Sequence, residues 1–161
     1  MPLRNVTTIL AVHCSATKPG VEIGAKEIRE WHMAKGWTDI GYHWVIRRSG
    51  LLEIGRNLRE VGAHVTGFNV MSVGICLVGG LDENGNGIID DFYHYTPKQR
   101  STLYTLLLTL RLIYPGAQVC GHRDLSPDKN HDGQVSPDEW LKQCPGFDVR
   151  REFATLNKVD A

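Results

Sequence analysis

The chain has 161 residues, of which 42% are hydrophobic and 22% charged, a length and composition typical of one globular domain with a buried core. The 18 basic and 18 acidic side chains balance, so no net charge favours binding to nucleic acid or to an anionic membrane surface. From this length and composition we expect one domain over residues 1–161. No stretch approaches the ~20 apolar residues of a membrane span, and the first residues lack a signal peptide's apolar run. We therefore expect a protein that is synthesised in the cytoplasm and is not inserted into a membrane.

β-Branched and apolar runs bounded by turn residues predict the strands. These runs cover residues 7–13, 43–48, 51–55, 72–78 and 118–121. The second and third runs flank Ser49 and Gly50, which predicts a β-hairpin.

Helices are predicted between and after these strands. They cover residues 26–35, residues 96–114 and a last segment that starts near residue 148. Thr96 and Pro97 suit the N-cap and the first position of the second helix. Its long apolar run, LYTLLLTLRLIY, predicts that this helix is buried on most sides. Because strands alternate with helices, we expect an α/β fold with a central mixed sheet flanked by helices.

The cysteines are an even number and could form two disulfides. They are Cys14, Cys76, Cys120 and Cys144. In a chain without a signal peptide, the expected state is a reduced thiol that is buried or binds a metal.

Three residues are candidate zinc ligands, since a hydrolytic zinc site needs three protein ligands and a position for water. His13 and His122 each lie where a predicted strand runs into a loop, and Cys144 lies in a Pro-Gly turn before the last helix. A histidine at a strand end is also commonly a polar cap, and a lone cysteine a small buried hydrophobe. Cys120 shares a face with His122, so spacing alone leaves it open as a ligand.

Several runs, in order along nearly the whole chain, resemble one enzyme family. They are VHCSATKP (12–19), REWHMAKGWTDIGYHWVIRRSG (29–50), GAHVTGFN (62–69), SVGICLVGG (72–80) and KQCPGFD (142–148). They are similar to the type 2 N-acetylmuramoyl-L-alanine amidases, the family of the T-seven phage lysozyme and of the animal peptidoglycan recognition proteins. The resemblance implies their fold and a zinc-dependent hydrolase, a phage or prophage endolysin that cuts peptidoglycan between N-acetylmuramic acid and L-alanine.

The resemblance also implies the roles of individual residues. It assigns His13, His122 and Cys144 as zinc ligands, with Tyr42 and Lys142 as catalytic residues. Taken alone, the tyrosine would be a core aromatic and the lysine a surface cation. His64 is expected to line the peptide groove, although packing accounts for it equally well.

Two alternative functions are a non-catalytic peptidoglycan-binding module and a cytosolic wall-recycling amidase. The joint presence of Tyr42, Lys142 and Cys144 argues against the binding module. An endolysin would reach the wall, on the periplasmic side, after holin-type release. A phage RNA polymerase is a possible partner by analogy alone, because the T-seven phage relative inhibits its phage's polymerase.

Residues 128–139, DKNHDGQVSPDE, match a calcium-binding EF-hand loop. The matching positions, in loop order, are Asp128, Asn130, Asp132, Gly133, Gln134 (through its backbone carbonyl), Ser136 and Glu139. We therefore predict a calcium-binding insertion here, with a polar, metal-free surface turn as the alternative. Residues 82–93 begin in the same way but place Tyr93 where the bidentate acid belongs, which favours a hairpin turn.

Overall fold

A computed structural model of the chain describes residues 2–158. Five strands form one sheet: β1 (Ile9–Cys14), β2 (Trp44–Ile46), β3 (Leu52–Ile54), β4 (Ser72–Leu77) and β5 (Gln118–Gly121). Their order across the sheet is β3-β2-β4-β1-β5. The pairs β2–β4, β4–β1 and β1–β5 are parallel, and only β3 pairs antiparallel with its neighbour in this sheet. The predicted mixed sheet is therefore confirmed.

The helices lie between and after the strands. They are α1 (Ala25–Ala34), α2 (Pro97–Ile113), α3 (Val149–Glu152) and α4 (Ala154–Asn157). Short 3-10 turns cover Asn69–Met71, Phe92–His94, His122–Leu125 and Pro137–Glu139. Within residues 2–158, no helix combines the length and the apolar character needed to cross a bilayer.

Two apolar clusters cover the sheet. The larger one contains residues of β1 and β4 together with α2, α3 and α4, and the smaller one joins α1 to β2 and β4. Strand β4 is buried along its whole length, as expected for a parallel strand in the middle of a sheet that is covered on both faces. The edge of the sheet where the parallel strands end is thus held by packing from both sides.

Helix α2 begins as predicted but is buried on one side only. Thr96 Oγ1 accepts a hydrogen bond from Gln99 N at 3.1 Å, and Gln99 Oε1 accepts one from Thr96 N at 3.2 Å, a reciprocal cap. The prediction that α2 is buried on most sides was wrong, because Leu112 is 85% exposed and Tyr104 47% exposed. Its core positions follow helical periodicity and its other apolar residues face outward.

Two other predictions concern the chain end and the segment after β4. The predicted last helix is divided at Phe153 into α3 and α4. The predicted hairpin turn at residues 82–93 is confirmed, since Leu81 bridges Gly87 and Asp82 N donates to the carbonyl of Asn86 at 2.8 Å.

All four cysteines are free thiols, as expected, and form no disulfide.

Candidate active site

Two neighbouring parallel strands bring the candidate histidines to one edge of the sheet. His13 is the second-last residue of β1, and His122 directly follows β5, which pairs with β1. Cys144 arrives from the turn before α3, and two backbone groups hold that turn in place. Cys14 N donates to Cys144 Sγ at 3.2 Å, and Arg123 N donates to the carbonyl of Cys144 at 3.0 Å.

The three side chains point their ligand atoms at one another. His13 Nδ1 lies 3.1 Å from His122 Nδ1 and 4.0 Å from Cys144 Sγ, and all three ligand atoms lie within 4.8 Å of one another. Tetrahedral zinc with Zn–N of about 2.0–2.1 Å and Zn–S of about 2.3 Å would place its ligand atoms about 3.3–3.6 Å apart. The observed separations of 3.1 and 4.0 Å bracket this range, and imidazole nitrogen and cysteine sulfur are ligands that zinc prefers, so the donor set fits zinc.

Among residues 2–158, this is the only group of three or more His, Cys, Asp and Glu side chains that could hold a metal ion. Cys120, which spacing left open as a ligand, lies outside it. Burial raises the pKa of Cys120 to about 12, so this side chain behaves as a buried apolar thiol.

The electrostatics of the group suit metal ligation. Burial lowers the pKa of His13 well below its usual value, and burial together with the Lys142 cation lowers the pKa of His122 to about 4. Both imidazoles are therefore neutral at pH 7, the form that binds a metal. The Cys14 side chain and burial raise the pKa of Cys144, so a thiolate at this position requires a cation beside it.

Tyr42 and Lys142 line the same cavity, of about 340 Å³, as His122 and Cys144. The Tyr42 ring centroid lies 5.2 Å from that of His13, and burial raises the pKa of Tyr42 well above its usual value. Its hydroxyl is thus a neutral donor. Lys142 is exposed and stands two residues before Cys144.

The cavity continues into a second one of about 360 Å³, which extends to Leu125 and Leu141. The two share Trp37, His64, His122 and Lys142 among their lining residues, so together they form one groove with the candidate metal ligands near its middle. At the first end, the groove is lined by Trp31, which is 42% exposed.

Sequence reasoning missed the tryptophans at this groove. The pattern around Trp31 predicts a helix but no functional role, and nothing in it singles out Trp37. The signal that could have found them is the run REWHMAKGW, which places two large aromatic residues around the end of α1 where packing does not cover them.

His64 lines both cavities, yet it is only 9% exposed. Its Nδ1 lies 3.0 Å from His13 Nε2, and its Nε2 lies 3.3 Å from the hydroxyl of Ser72. Both ring nitrogens are thus used within the protein, and only part of the ring is available to the groove.

Residues 128–139 fold as a tight loop around their own carboxylates. Asp128 accepts hydrogen bonds from Asp132 N at 3.3 Å and Gly133 N at 2.9 Å, and the Asp132 carboxylate accepts one from Gln134 N at 2.8 Å. Gly133 has φ 87°, the left-handed conformation that glycine adopts most easily. The side-chain oxygen of Asn130 accepts from Asp132 N at 3.0 Å.

Glu139, the last residue of this loop, is buried and closes it. Its carboxylate accepts from the backbone N–H groups of Lys129, Asn130 and Ser136 at 2.7, 3.1 and 2.9 Å. The Ser136 N–H, with those of Asn130 and Lys129, holds the pKa of Glu139 at about 2. The carboxylates of this loop are thus oriented by backbone donors, and they form no group of three metal ligands within residues 2–158.

Comparison with known proteins gives a consistent set of relatives. The profile of the N-acetylmuramoyl-L-alanine amidase family matches residues 3–147. An endolysin of Klebsiella phage KP32 is 43% identical over 148 residues, which cover 92% of this chain and 86% of the relative. An endolysin of Enterobacteria phage K11 is 44% identical over 152 residues, covering 94% and 89%.

Solved structures share the fold. The N-acetylmuramoyl-L-alanine amidase LysC from Clostridium intestinale superposes with a TM-score of 0.70 at 27% identity, covering 98% of this chain and 91% of that one. Drosophila PGRP-LB superposes with a TM-score of 0.69 at 21% identity, covering 96% and 84%. This second likeness concerns the fold alone.

Proposed function

The chain belongs to the N-acetylmuramoyl-L-alanine amidase family, and we propose that it is a zinc-dependent phage endolysin that separates the stem peptide of peptidoglycan from N-acetylmuramic acid. One observation carries the zinc dependence: the ligand atoms of His13, His122 and Cys144 lie within 4.8 Å of one another near the middle of the groove. The amidase acts on the cell wall, which it reaches after holin-type release.

His13, His122 and Cys144 would hold the zinc ion through two imidazole nitrogens and one sulfur. When bound, zinc lowers the pKa of a water from 15.7 to about 7 and polarises the carbonyl under attack. The protein supports the ligands from behind, because Cys14 N donates to Cys144 Sγ at 3.2 Å. A hydrogen bond of this kind favours the thiolate over the neutral thiol.

Tyr42 and Lys142 act on the scissile amide from the walls of the groove. The neutral hydroxyl of Tyr42 donates a hydrogen bond to the attacking water or to the carbonyl oxygen. The Lys142 ammonium group neutralises the negative charge that develops on that oxygen. Each such donor contributes about 10²–10³ in rate, which is needed all the more because a thiolate ligand tempers the Lewis acidity of zinc.

The groove on either side of the ligands binds the rest of the substrate. Trp31 and Trp37 offer aromatic faces at one end, and Leu125 and Leu141 offer apolar surface at the other. The exposed edge of His64 lies between these ends, so we assign it to the peptide-binding part of the groove. Peptidoglycan is the substrate and the macromolecular partner.

We also propose that the loop of residues 128–139 binds calcium as an insertion within the single amidase domain. The loop supplies the EF-hand ligands in order, Gly133 has the φ of 87° that suits its turn, and backbone donors already orient Asp128 and Glu139. Glu139 stands three residues before Lys142 and five before Cys144. Calcium would therefore order the segment that carries both.

Product analysis tests the proposed reaction. The purified protein is chelated, divided, and given zinc or buffer before incubation with purified peptidoglycan, and the products are analysed by mass spectrometry. We expect intact stem peptides with free L-alanine amino termini in the zinc sample alone. New reducing sugar ends, or binding to the wall without cleavage, would refute the proposal.

A further inference from the structure

A chain of hydrogen bonds leads from His13 into the protein interior. His13 Nε2 lies 3.0 Å from His64 Nδ1, and His64 Nε2 lies 3.3 Å from Ser72 Oγ. Ser72 Oγ in turn donates to the carbonyl of Phe68 at 2.8 Å. His13 and Ser72 are 1% and 0% exposed, so water cannot replace these partners.

The last acceptor fixes the position of every proton in this chain, because a carbonyl accepts and never donates. The Ser72 hydroxyl gives its proton to Phe68, so its oxygen accepts from His64 Nε2–H. His64 Nδ1 then carries a lone pair and accepts from His13 Nε2–H. His13 Nδ1 is left with a lone pair, and this is the atom that faces His122 Nδ1 and Cys144 Sγ.

The ring of His64 occupies a slot that two glycines leave open. A Cβ atom at Gly74 would lie 2.6 Å from the His64 ring, and one at Gly62 would lie 2.5 Å from it. The backbone of His64 is also held, since its N–H donates to the side-chain oxygen of Asn69 at 2.8 Å. The fold therefore fixes both the position and the rotation of the His64 ring.

The neighbouring His43 does not compete for the nitrogens of His64. Its Nδ1 accepts from Gly74 N at 2.9 Å, and its Nε2 lies 3.0 Å from the carbonyl of Glu60. His64 is therefore free to serve His13 and Ser72.

We infer that His64, backed by Ser72, is a positioning residue that holds His13 in the one tautomer and ring orientation that can bind the metal. This inference rests on the proposed zinc-dependent function and adds a role for His64 beyond lining the groove. Partners of this kind, one shell behind the ligands, typically change metal affinity or activity about 10–100-fold when they are removed.

The test measures zinc affinity by competition with a chromophoric chelator, together with the melting temperature of each zinc-free variant. We expect His64→Leu to bind zinc about 10–100-fold more weakly. We expect His64→Asn to recover much of that loss, because its side-chain oxygen can accept from His13 Nε2. Ser72→Ala, with a smaller loss of volume, is expected at about the tenfold end of the range.

Val73→Ala is the matched control. Val73 lies next to Ser72 on β4 and is buried in the larger apolar cluster. Its truncation should lower the melting temperature without changing the hydrogen bonds that join His13, His64 and Ser72. It should leave zinc affinity unchanged. The absorption spectrum of the cobalt-substituted protein gives a second readout, and His64→Leu should alter it while Val73→Ala should not.

The outcomes separate this inference from the proposed function. Suppose that wild-type protein binds zinc and cleaves peptidoglycan, but His64→Leu and Ser72→Ala keep wild-type zinc affinity and only KM rises. His64 is then a groove residue, and its proposed positioning role is refuted. If wild-type protein itself shows no zinc-dependent cleavage, the proposed function fails first. Should His64→Leu fail to fold, Ser72→Ala and His64→Asn still decide the question.

Discussion

Two regions present candidate metal ligands in opposite ways: the group of His13, His122 and Cys144, and the loop of residues 128–139. The first joins three distant parts of the chain, and its ligand atoms face one another, with His13 Nδ1 only 3.1 Å from His122 Nδ1. The second is one continuous segment whose carboxylates accept hydrogen bonds from the loop's own backbone, as Glu139 does from Lys129 N at 2.7 Å. The first site is positioned by the fold and the second by its local sequence.

The largest expected effect comes from removing the thiolate. Cys144→Ala should lose bound zinc and reduce peptidoglycan cleavage to the background of the assay, because two imidazoles alone leave the donor set incomplete. Zinc per chain by elemental analysis and peptide release by mass spectrometry check this. The calcium-induced rise in melting temperature should persist, because the carboxylates of residues 128–139 are unchanged in this variant.

Replacing Lys142 or Tyr42 should lower the rate of cleavage but leave zinc binding unchanged. Lys142→Ala and Tyr42→Phe should each lower kcat by about 10²–10³, with zinc content and melting temperature close to those of the wild type. Steady-state cleavage of a soluble peptidoglycan fragment measures the rate. Full activity in either variant would show that the replaced side chain is not catalytic and has only a surface or packing role.

Calcium should stabilise the protein through the loop alone. At a calcium concentration 100 times its Kd, the expected gain is about 2.7 kcal/mol, or a rise in melting temperature of several degrees. Glu139→Gln should abolish this rise and keep the bound zinc, while Asp138→Asn, outside the matched ligand positions, serves as the control. Equal activity and equal melting temperature of wild-type protein in calcium and in chelator plus zinc would refute a role for calcium.

Acid should destabilise the loop through Glu139 even without calcium. Backbone donors depress the pKa of this carboxyl from about 4.5 to about 2, so its contribution to stability is complete above the unfolded value and is lost as the pH falls towards the folded one. The melting temperature of the wild type should therefore fall more between pH 5 and pH 2.5, as rough working limits, than that of Glu139→Gln. Parallel curves would contradict this.

The smallest effect is expected at Cys120, the cysteine that sequence spacing left open as a zinc ligand. Cys120→Ala removes a buried thiol that lies outside the metal-ligand group, so zinc content and kcat should stay at wild-type values while the melting temperature falls slightly. A loss of zinc in this variant would reopen the choice between Cys120 and Cys144.

The sequence predicts those parts of the fold and the site that local patterns determine. β-Branched runs locate the strands, and the same runs place His13 and His122 at strand ends, where the structure has them. The choice of Cys144 over Cys120 comes from a family resemblance, since it depends on how a distant turn packs against β1. Local spacing carries no information on that packing.

Other features depend on tertiary contacts that no local pattern reveals. The apolar run of α2 led to too high a prediction of its burial, because the number of leucines does not tell which face of the helix is covered. Leu112, for example, is 85% exposed. The bond between His13 and His64 joins residues 51 positions apart, and the slot for His64 needs the glycines at 62 and 74 to meet across the fold. The role of His64 can therefore be found only from the structure.

A zinc titration measures whether peptidoglycan cleavage depends on zinc. Chelated protein receives zinc in steps, and peptide release from purified peptidoglycan is measured at each step. If cleavage requires zinc at His13, His122 and Cys144, activity is absent at the start, rises linearly and saturates at one zinc per chain in the wild type, with no rise in Cys144→Ala. Full activity of the wild type in excess chelator, or equal recovery in Cys144→Ala, would contradict it.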